Sequence, residues 1–556
     1  MKARCLLGLL ALAAAFQPAV GQDAAQPKSW RVAGKVVNSV TNEPVPRVRL
    51  SLRPMEPPGA PIFAISDEAG RFLFGAVPEG KFELAAERSG FPRQGFGWKI
   101  LGGGFGSAGS AIITGPGLDM ERLVFRLIPP SAISGRVLDD QGDPVQNAVV
   151  QLFRSSVEAG KRRVRLLTFT YTNDAGDYRL SGLGAGLYYV AAAGQPWYRA
   201  ASAAQQFLRM VGAGADGQTT SALGRAAYLL TYYPDTSDPR TASAVSLKPG
   251  QEFTANIEVR TSSGVAVTAT LGGTTKQTRM LLSTLSIDGN QAILQWSQGI
   301  GPRAVFSGVT PGRYRIVAAV EGQAAQSEMK EIDVGTSDLD VQIEPGGTPR
   351  ISGKVELDGG DTDALRGGFV MLYDAGKNLG GHEPLSPDGS FSGTVPPGRY
   401  SVSIGGVKNL TLRSLSIDGA AAREAVVEIE APVTREIMIQ ATLSSARVQG
   451  HVFRGDATAC GAMVLLVPAA EAGNPFDYQA FQTEADGSFD FVSVRPGKYV
   501  LIPVEDGTEL EYADPAVLAP LRAKGKSIEL FPQETLHERL DLPEPPVVVK
   551  ENAGSH

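Results

Sequence analysis

Residues 172–192, TNDAGDYRLSGLGAGLYYVAA, place a polar turn, an alternating strand, a glycine-rich turn and a second alternating strand in one short stretch. Asn, Asp and Ser side chains bond the backbone two residues on, and a following glycine takes positive φ at little steric cost. TNDAGD therefore reads as a turn, and the period-two runs on either side of LGAG read as strands.

The pattern recurs along the chain. Turn-and-strand segments read DEAGRFLF from Asp67, NDAGDYRL from Asn173, SPDGSFSG from Ser386 and EADGSFDF from Glu484. A second element reads VPEGKFEL around Gly80, LGAGLYYV around Gly186, VTPGRYRI around Gly312, VPPGRYSV around Gly398 and VRPGKYVL around Gly497. In the Pro-Gly steps proline presets φ at the first central position and glycine permits the second. Phe82, Tyr188, Tyr314, Tyr400 and Tyr499 then open a strand at a spacing suited to inward packing. Four segments also begin alike, with VAGKV at 32, ISGRV at 133, ISGKV at 351 and VQGHV at 448. Repetition at this period, with little helical periodicity, predicts an all-β chain. The expected architecture is a tandem array of about five immunoglobulin-like or transthyretin-like β-sandwiches.

The expected boundaries are a signal peptide at 1–21, sandwich 1 at 29–128 with a glycine-rich insertion, and sandwich 2 at 129–262 with a helical insertion. A degenerate sandwich 3 at 263–345, sandwich 4 at 346–443, sandwich 5 at 444–542 and a flexible tail at 543–556 complete the chain. Proline in RLIPPS at 126 and IEPGGTPR at 343 interrupts strand continuation and marks joints between units. Lys2 and Arg4 precede the apolar run CLLGLLALAAAF, with small residues at 19 and 21, which is the pattern of an export signal. The expected location is periplasmic, cell-surface or extracellular, with no transmembrane anchor. Removing the signal leaves Cys460 alone, expected to be a small buried hydrophobe. The 65 glycines and 37 prolines exceed the usual share of about 12%, as turn-rich domains require. A net charge of −6 on 556 residues, with no basic stripe, argues against a nucleic-acid partner.

ISGRVLDDQGDPVQNAVVQL at 133, TNDAGDYRL and the closing G-x-Y-x-V step resemble the carboxypeptidase regulatory-like domain. That resemblance implies a transthyretin-like, carbohydrate-binding-like sandwich. The DexGxfxf and PGxYxl rhythm also resembles the Cna B-type surface-protein repeat. These motifs specify turns and fold, not chemistry.

The four histidines, His382, His451, His537 and His556, form neither H-x-x-E nor H-E-x-x-H, so the zinc peptidase domain that the first family name suggests is missing. Neither a G-x-S-x-G elbow nor a phosphate-binding G-x-x-x-x-G-K-[ST] loop occurs. Gly104, Gly106 and Gly109, and Gly212, Gly214 and Gly217, match G-x-G-x-x-G but lack the strand and helix that a dinucleotide site needs. Glu484 and Asp486 are expected to cap a turn rather than bind calcium. An internal isopeptide, the possibility raised by the Cna B resemblance, would draw on Lys35 or Lys354. Neither catalytic residues nor cofactors are expected. Candidate ligand-binding residues are the rings outside the repeat pattern: Trp197, Tyr198, Tyr228, Tyr232 and Tyr233 in sandwich 2, and Trp98 beside the glycine-rich loop. Trp30 and Trp296 are expected to pack.

The leading expectation is a noncatalytic exported string of sandwiches acting as an envelope or extracellular binding scaffold, with glycans or envelope proteins as partners. The alternatives are a carbohydrate-binding protein using the sandwich 2 aromatics and an unrecognised hydrolase.

Overall fold

The computed structural model describes residues 28–543 apart from 100–108, 159, 197–225, 286, 288–290, 299–300, 321–326, 345–348, 359–361, 375–378, 396–397, 408–409, 423–425, 430–432 and 471–477. The signal peptide, most of the glycine-rich loop, the helical insertion and all but the first residue of the tail lie outside the described residues. Within them the chain forms five pairs of β-sheets, each pair closed on a hydrophobic core of its own, and one further two-stranded sheet of Ala226–Tyr228 with Thr261–Ser263.

The first strand of every unit lies inside one sheet of the pair, parallel to a strand at the unit's end and antiparallel to one in mid-unit. Trp30–Asn38 lies between Arg71–Val77 and Leu123–Leu127, and Val265–Leu271 between Arg303–Val309 and Leu339–Ile343. Arg350–Leu357 lies between Ser390–Thr394 and Thr434–Thr442, and Ala446–Arg454 between Ser488–Val494 and Thr535–Asp541. Ser131–Asp139 pairs with Asp177–Leu183 and, in parallel, with Glu252–Thr254 and then Ile257–Val259. The second sheet of each pair is built on the strand that follows the glycine step: Gly80–Arg88, Gly186–Ala193, Gly312–Val320, Gly398–Gly405 and Gly497–Val504.

The repeated words act locally. Asp67 Oδ1 accepts from the N–H groups of Ala69 and Arg71 at 2.9 and 2.8 Å, and Asn173 Oδ1 accepts from those of Ala175 and Asp177 at 3.0 and 2.7 Å. The backbone bond from Arg71 holds the Asp67 carboxyl below its ordinary pKa. At the second turn the hydroxyls of Tyr188, Tyr314 and Tyr499 donate to the carbonyls of Gly184, Thr310 and Arg495, at 2.8, 2.7 and 2.9 Å. Their rings are buried, so one side chain staples the turn and fills the core.

The glycine of the opening motif has a tertiary cause. A Cβ at Gly34, Gly135, Gly353 or Gly450 would collide with the carbonyl oxygen of Leu123, Ala255, Ile437 or Glu538, on the parallel-paired side of the first strand. Gly353→Ala is therefore expected to cost about 2 kcal/mol, the usual scale of overpacking, seen as a lower urea midpoint for unit 4. An unchanged midpoint would show that the two strands separate freely. In unit 3, where the motif is missing, the register puts Ala269 at this place.

Several expectations need correction. Trp296 is exposed, not packed, because it lies on the edge strand Gln291–Gln298 of its sheet. Cys460 is likewise exposed rather than a buried hydrophobe. The packing around it still raises the thiol pKa by desolvation, a hydrogen bond with Ser110 opposes this, and Glu484 adds to the rise. At the joint at 126–131, Leu127 and Ile128 are buried. Gln94 clips Ile128 with both ends of its amide, donating to the Ile128 carbonyl and accepting from its N–H, each at 2.8 Å. The helix Pro515–Arg522, which the sequence reading missed, begins at Asp514, whose carboxylate caps the Ala516 N–H. Its Leu518 packs with Tyr512, Val500 and Ile502 on the outer face of unit 5's second sheet.

Candidate functional site

Units 1, 2, 3 and 5 touch one another through specific contacts. In unit 5, Glu484 occupies the turn position held by Asp67, Asn173 and Ser386, but its longer side chain leaves its own turn. It accepts a short hydrogen bond from the buried Ala111 N–H of unit 1, 373 residues away in sequence, and pairs with Lys81 Nζ at 2.7 Å. Asp486 alone caps the turn, accepting from the Ser488 N–H at 3.0 Å, which corrects the expectation that both acids do. Around this clasp Ser110 Oγ donates to Thr483 O at 2.7 Å, Ala485 N–H to Ala111 O at 2.9 Å and Gln482 Nε2 to Gly97 O at 2.8 Å.

Unit 5 also meets unit 2. Arg162 Nε donates to Glu511 at 2.8 Å and its Nη1 to Glu509 at 3.1 Å; the Glu511 bond leads the causes that raise the Arg162 pKa. The Ala513 N–H donates to Gly160 O at 2.9 Å. A side chain at Gly160, whose φ is +75°, would strike the Tyr512 ring. That ring's own hydroxyl is pushed up to about 12 by burial.

Units 2 and 3 share a third junction. Gln151, fully buried, donates to Ile293 O at 2.8 Å and accepts from Ile293 N–H at 2.6 Å. Phe153, Val164, Ala191 and Tyr232 pack there against Ala292. Beside it opens a cavity of about 200 Å3, walled by Tyr228 and Tyr232 from unit 2 and by Leu282, Leu294, Gln295 and Tyr314 from unit 3.

The sequence-nominated rings divide between places. Trp197 and Tyr198 lie outside the described residues. Tyr228 and Tyr232 reach the cavity wall, but at 7% and 1% exposure neither offers a face to solvent, as a sugar-stacking platform must. The Tyr228 hydroxyl donates to Asp139 at 2.9 Å. Half-buried Tyr233 packs edge-on against Phe253, with ring centres 5.8 Å apart. Trp98 folds over Gly95 and Gly109 of its own unit. Burial raises the Tyr314 pKa, with a hydrogen bond from Thr310 opposing it. The unit 3 wall was missed because its Thr310-Pro311-Gly312 stretch reads as the repeat's own turn.

Among the described residues no group of three or more His, Cys, Asp or Glu side chains is placed to hold a metal ion. Lys35 is exposed, unlike the buried lysine that an isopeptide needs. No helix in the described residues is long and apolar enough to cross a membrane.

Neither a protein-family model nor a curated protein matches this chain. The carboxypeptidase regulatory-like resemblance thus has no family match behind it. Among solved structures, GBS52, the minor pilin of Streptococcus agalactiae, is 14% identical over 42% of this chain and 97% of its own, with a TM-score of 0.21. The Bacillus anthracis TIE protein is 10% identical over 71% of this chain and 69% of its own, with a TM-score of 0.16. BcpA, the major pilin subunit of Bacillus cereus, is 13% identical over 57% of this chain and 100% of its own, at 0.14. Likenesses this slight assign no function.

Proposed function

We propose that this chain is a noncatalytic exported scaffold of the envelope or extracellular space whose docked sandwiches hold their binding surfaces in fixed relation. The observation that carries this reading is the Glu484 clasp on Ala111 and Lys81. A spacer has no use for a buried carboxylate spent on a distant unit, since an unpaired buried charge costs several kcal/mol. Glycans or envelope proteins are the partner classes. Carbohydrate stacking on unit 2 has less support, because Tyr228 and Tyr232 turn inward; a hydrolase has no specific observation in its favour.

Cys460 supplies the test. It lies within hydrogen-bonding reach of Ser110, across the unit 1–unit 5 junction. Ser110→Cys in a Cys5→Ser background should form an intramolecular disulfide with Cys460 under mild oxidation, identified by peptide mass mapping. A folded variant that keeps both thiols free would overturn the docked scaffold.

A further inference from the structure

We propose that unit 1 pairs with unit 1 of a second copy of this chain, edge to edge along Ile62–Ile65, to form a two-fold dimer. This strand is the edge of its sheet, bonded on one side to Arg49–Pro54, and no described residue lies across its other side as a strand partner. Ser66 N–H donates to Val48 O and Ser66 O accepts from Arg47 N–H, each at 3.0 Å. Backbone groups alternate in direction along an antiparallel strand. Ile62 and Ala64 therefore turn toward Arg49–Pro54 as Ser66 does, and the N–H and C=O of Phe63 and Ile65 point off the open edge. The side chains of Phe63 and Ile65 are 57% and 70% exposed.

The chain's other edges show what such a strand is for. The uncharged edge strands Gln291–Gln298 and Gln479–Gln482 each meet another unit, through Ile293 on Gln151 and through Gln482 on Gly97. The long edges Lys161–Tyr171 and Ser327–Val334 carry Lys161 and Arg163, and Glu328 and Lys330, charges of the kind that keep an edge unpaired. Residues 60–66, APIFAIS, carry no charge. The charges beside them are paired within the unit, Arg49 with Glu87 and Glu83 with Arg53 and Arg93, so an uncharged strand is the match.

A second copy supplies that strand in register. With a two-fold axis at Ala64, Phe63 faces Ile65 of the second copy and Ile65 faces Phe63 of the second copy. All of these residues carry outward backbone groups, so each facing pair exchanges two N–H···O bonds, and Ala64 meets its own counterpart as a non-hydrogen-bonded pair. The exposed rings and isoleucines then gather on one face of a continuous sheet. Pro61, which has no N–H, and the turn capped by Asp67 end the pairing on either side, and a copy of the same strand has the same length.

Sedimentation equilibrium of the full chain tests this. The average mass should rise toward that of a dimer as concentration increases to about 1 mM. Ile65→Lys should weaken the dimer about tenfold or more, because the axis places the change at two sites, while leaving the urea midpoint of unit 1 unchanged at so exposed a position. Phe63→Glu added to Ile65→Lys should restore the dimer, because opposite charges then face each other across the axis. In a Cys5→Ser, Cys460→Ser background, Ala64→Cys should cross-link two copies under mild oxidation, since facing residues of a non-hydrogen-bonded pair lie about 4.5 Å apart. A chain that stays monomeric over this range, a dimer indifferent to Ile65→Lys, or a folded Ala64→Cys variant that forms no cross-link would each overturn the proposal. The pairing uses unit 1 alone, so its failure would leave the docking of units 1 and 5 standing.

Discussion

Tyr232→Ala is expected to destabilise unit 2 by about 3–5 kcal/mol, the usual cost of deleting a buried aromatic ring. The ring is 1% exposed and packs with Phe153, Val164, Ala191 and Ala292 across the unit 2–unit 3 junction, where no solvent can occupy the vacated space without facing apolar walls. Urea unfolding followed by far-UV circular dichroism should show the unit 2 transition at a clearly lower midpoint, and protection of the Ile293 amide should fall with it. A loss below about 1 kcal/mol would mean that the tyrosine is not part of a packed joint. The same substitution separates two roles that sequence leaves together, since a solvent-facing platform would lose binding at little cost in stability.

Glu484→Ala is expected to weaken the unit 1–unit 5 contact by about 3 kcal/mol. The substitution orphans the Ala111 N–H and removes the partner of Lys81. Breaking a buried pair costs roughly 3–5 kcal/mol, and the lower end applies because the Lys81 side chain is 37% exposed and partly served by water. The readout is hydrogen exchange at the Ala111 and Ala485 amides, which should open about a hundredfold more often. Glu484→Gln keeps an acceptor for Ala111 and loses only the charge, so its effect should be several times smaller. Unchanged exchange in Glu484→Ala would show that the clasp contributes nothing to docking.

The corrections follow a common rule. Glu484 sits in a motif whose other members, Asp67 and Asn173, cap their own turns, and nothing in EADG says that one more methylene carries the carboxylate to another unit. Tyr232 and Tyr233 are adjacent and chemically identical, yet one is sealed into a joint between units while the other packs against its own unit's Phe253. A place beside a strand predicts packing for Trp296, yet the ring is exposed because that strand is the edge of its sheet.

The sequence by itself determined the repeated sandwich. A side chain that bonds a backbone two to four residues on, a glycine at positive φ and a tyrosine that reaches back four residues are all settled within one turn, so they leave a legible pattern. It also marked Gly34, Gly135, Gly353 and Gly450 as a shared motif, although the reason for glycine there, a close parallel strand, comes from the tertiary structure. Only that structure decided that Gln94 and Gln151 clip distant backbones, that Arg162 meets Glu509 and Glu511, and that a cavity opens between units 2 and 3. These contacts join residues from 34 to 349 positions apart, and whether a side chain faces its own turn or another unit depends on how folded bodies meet. No local pattern records that meeting, because each partner satisfies the same local rules whether the other is present or not.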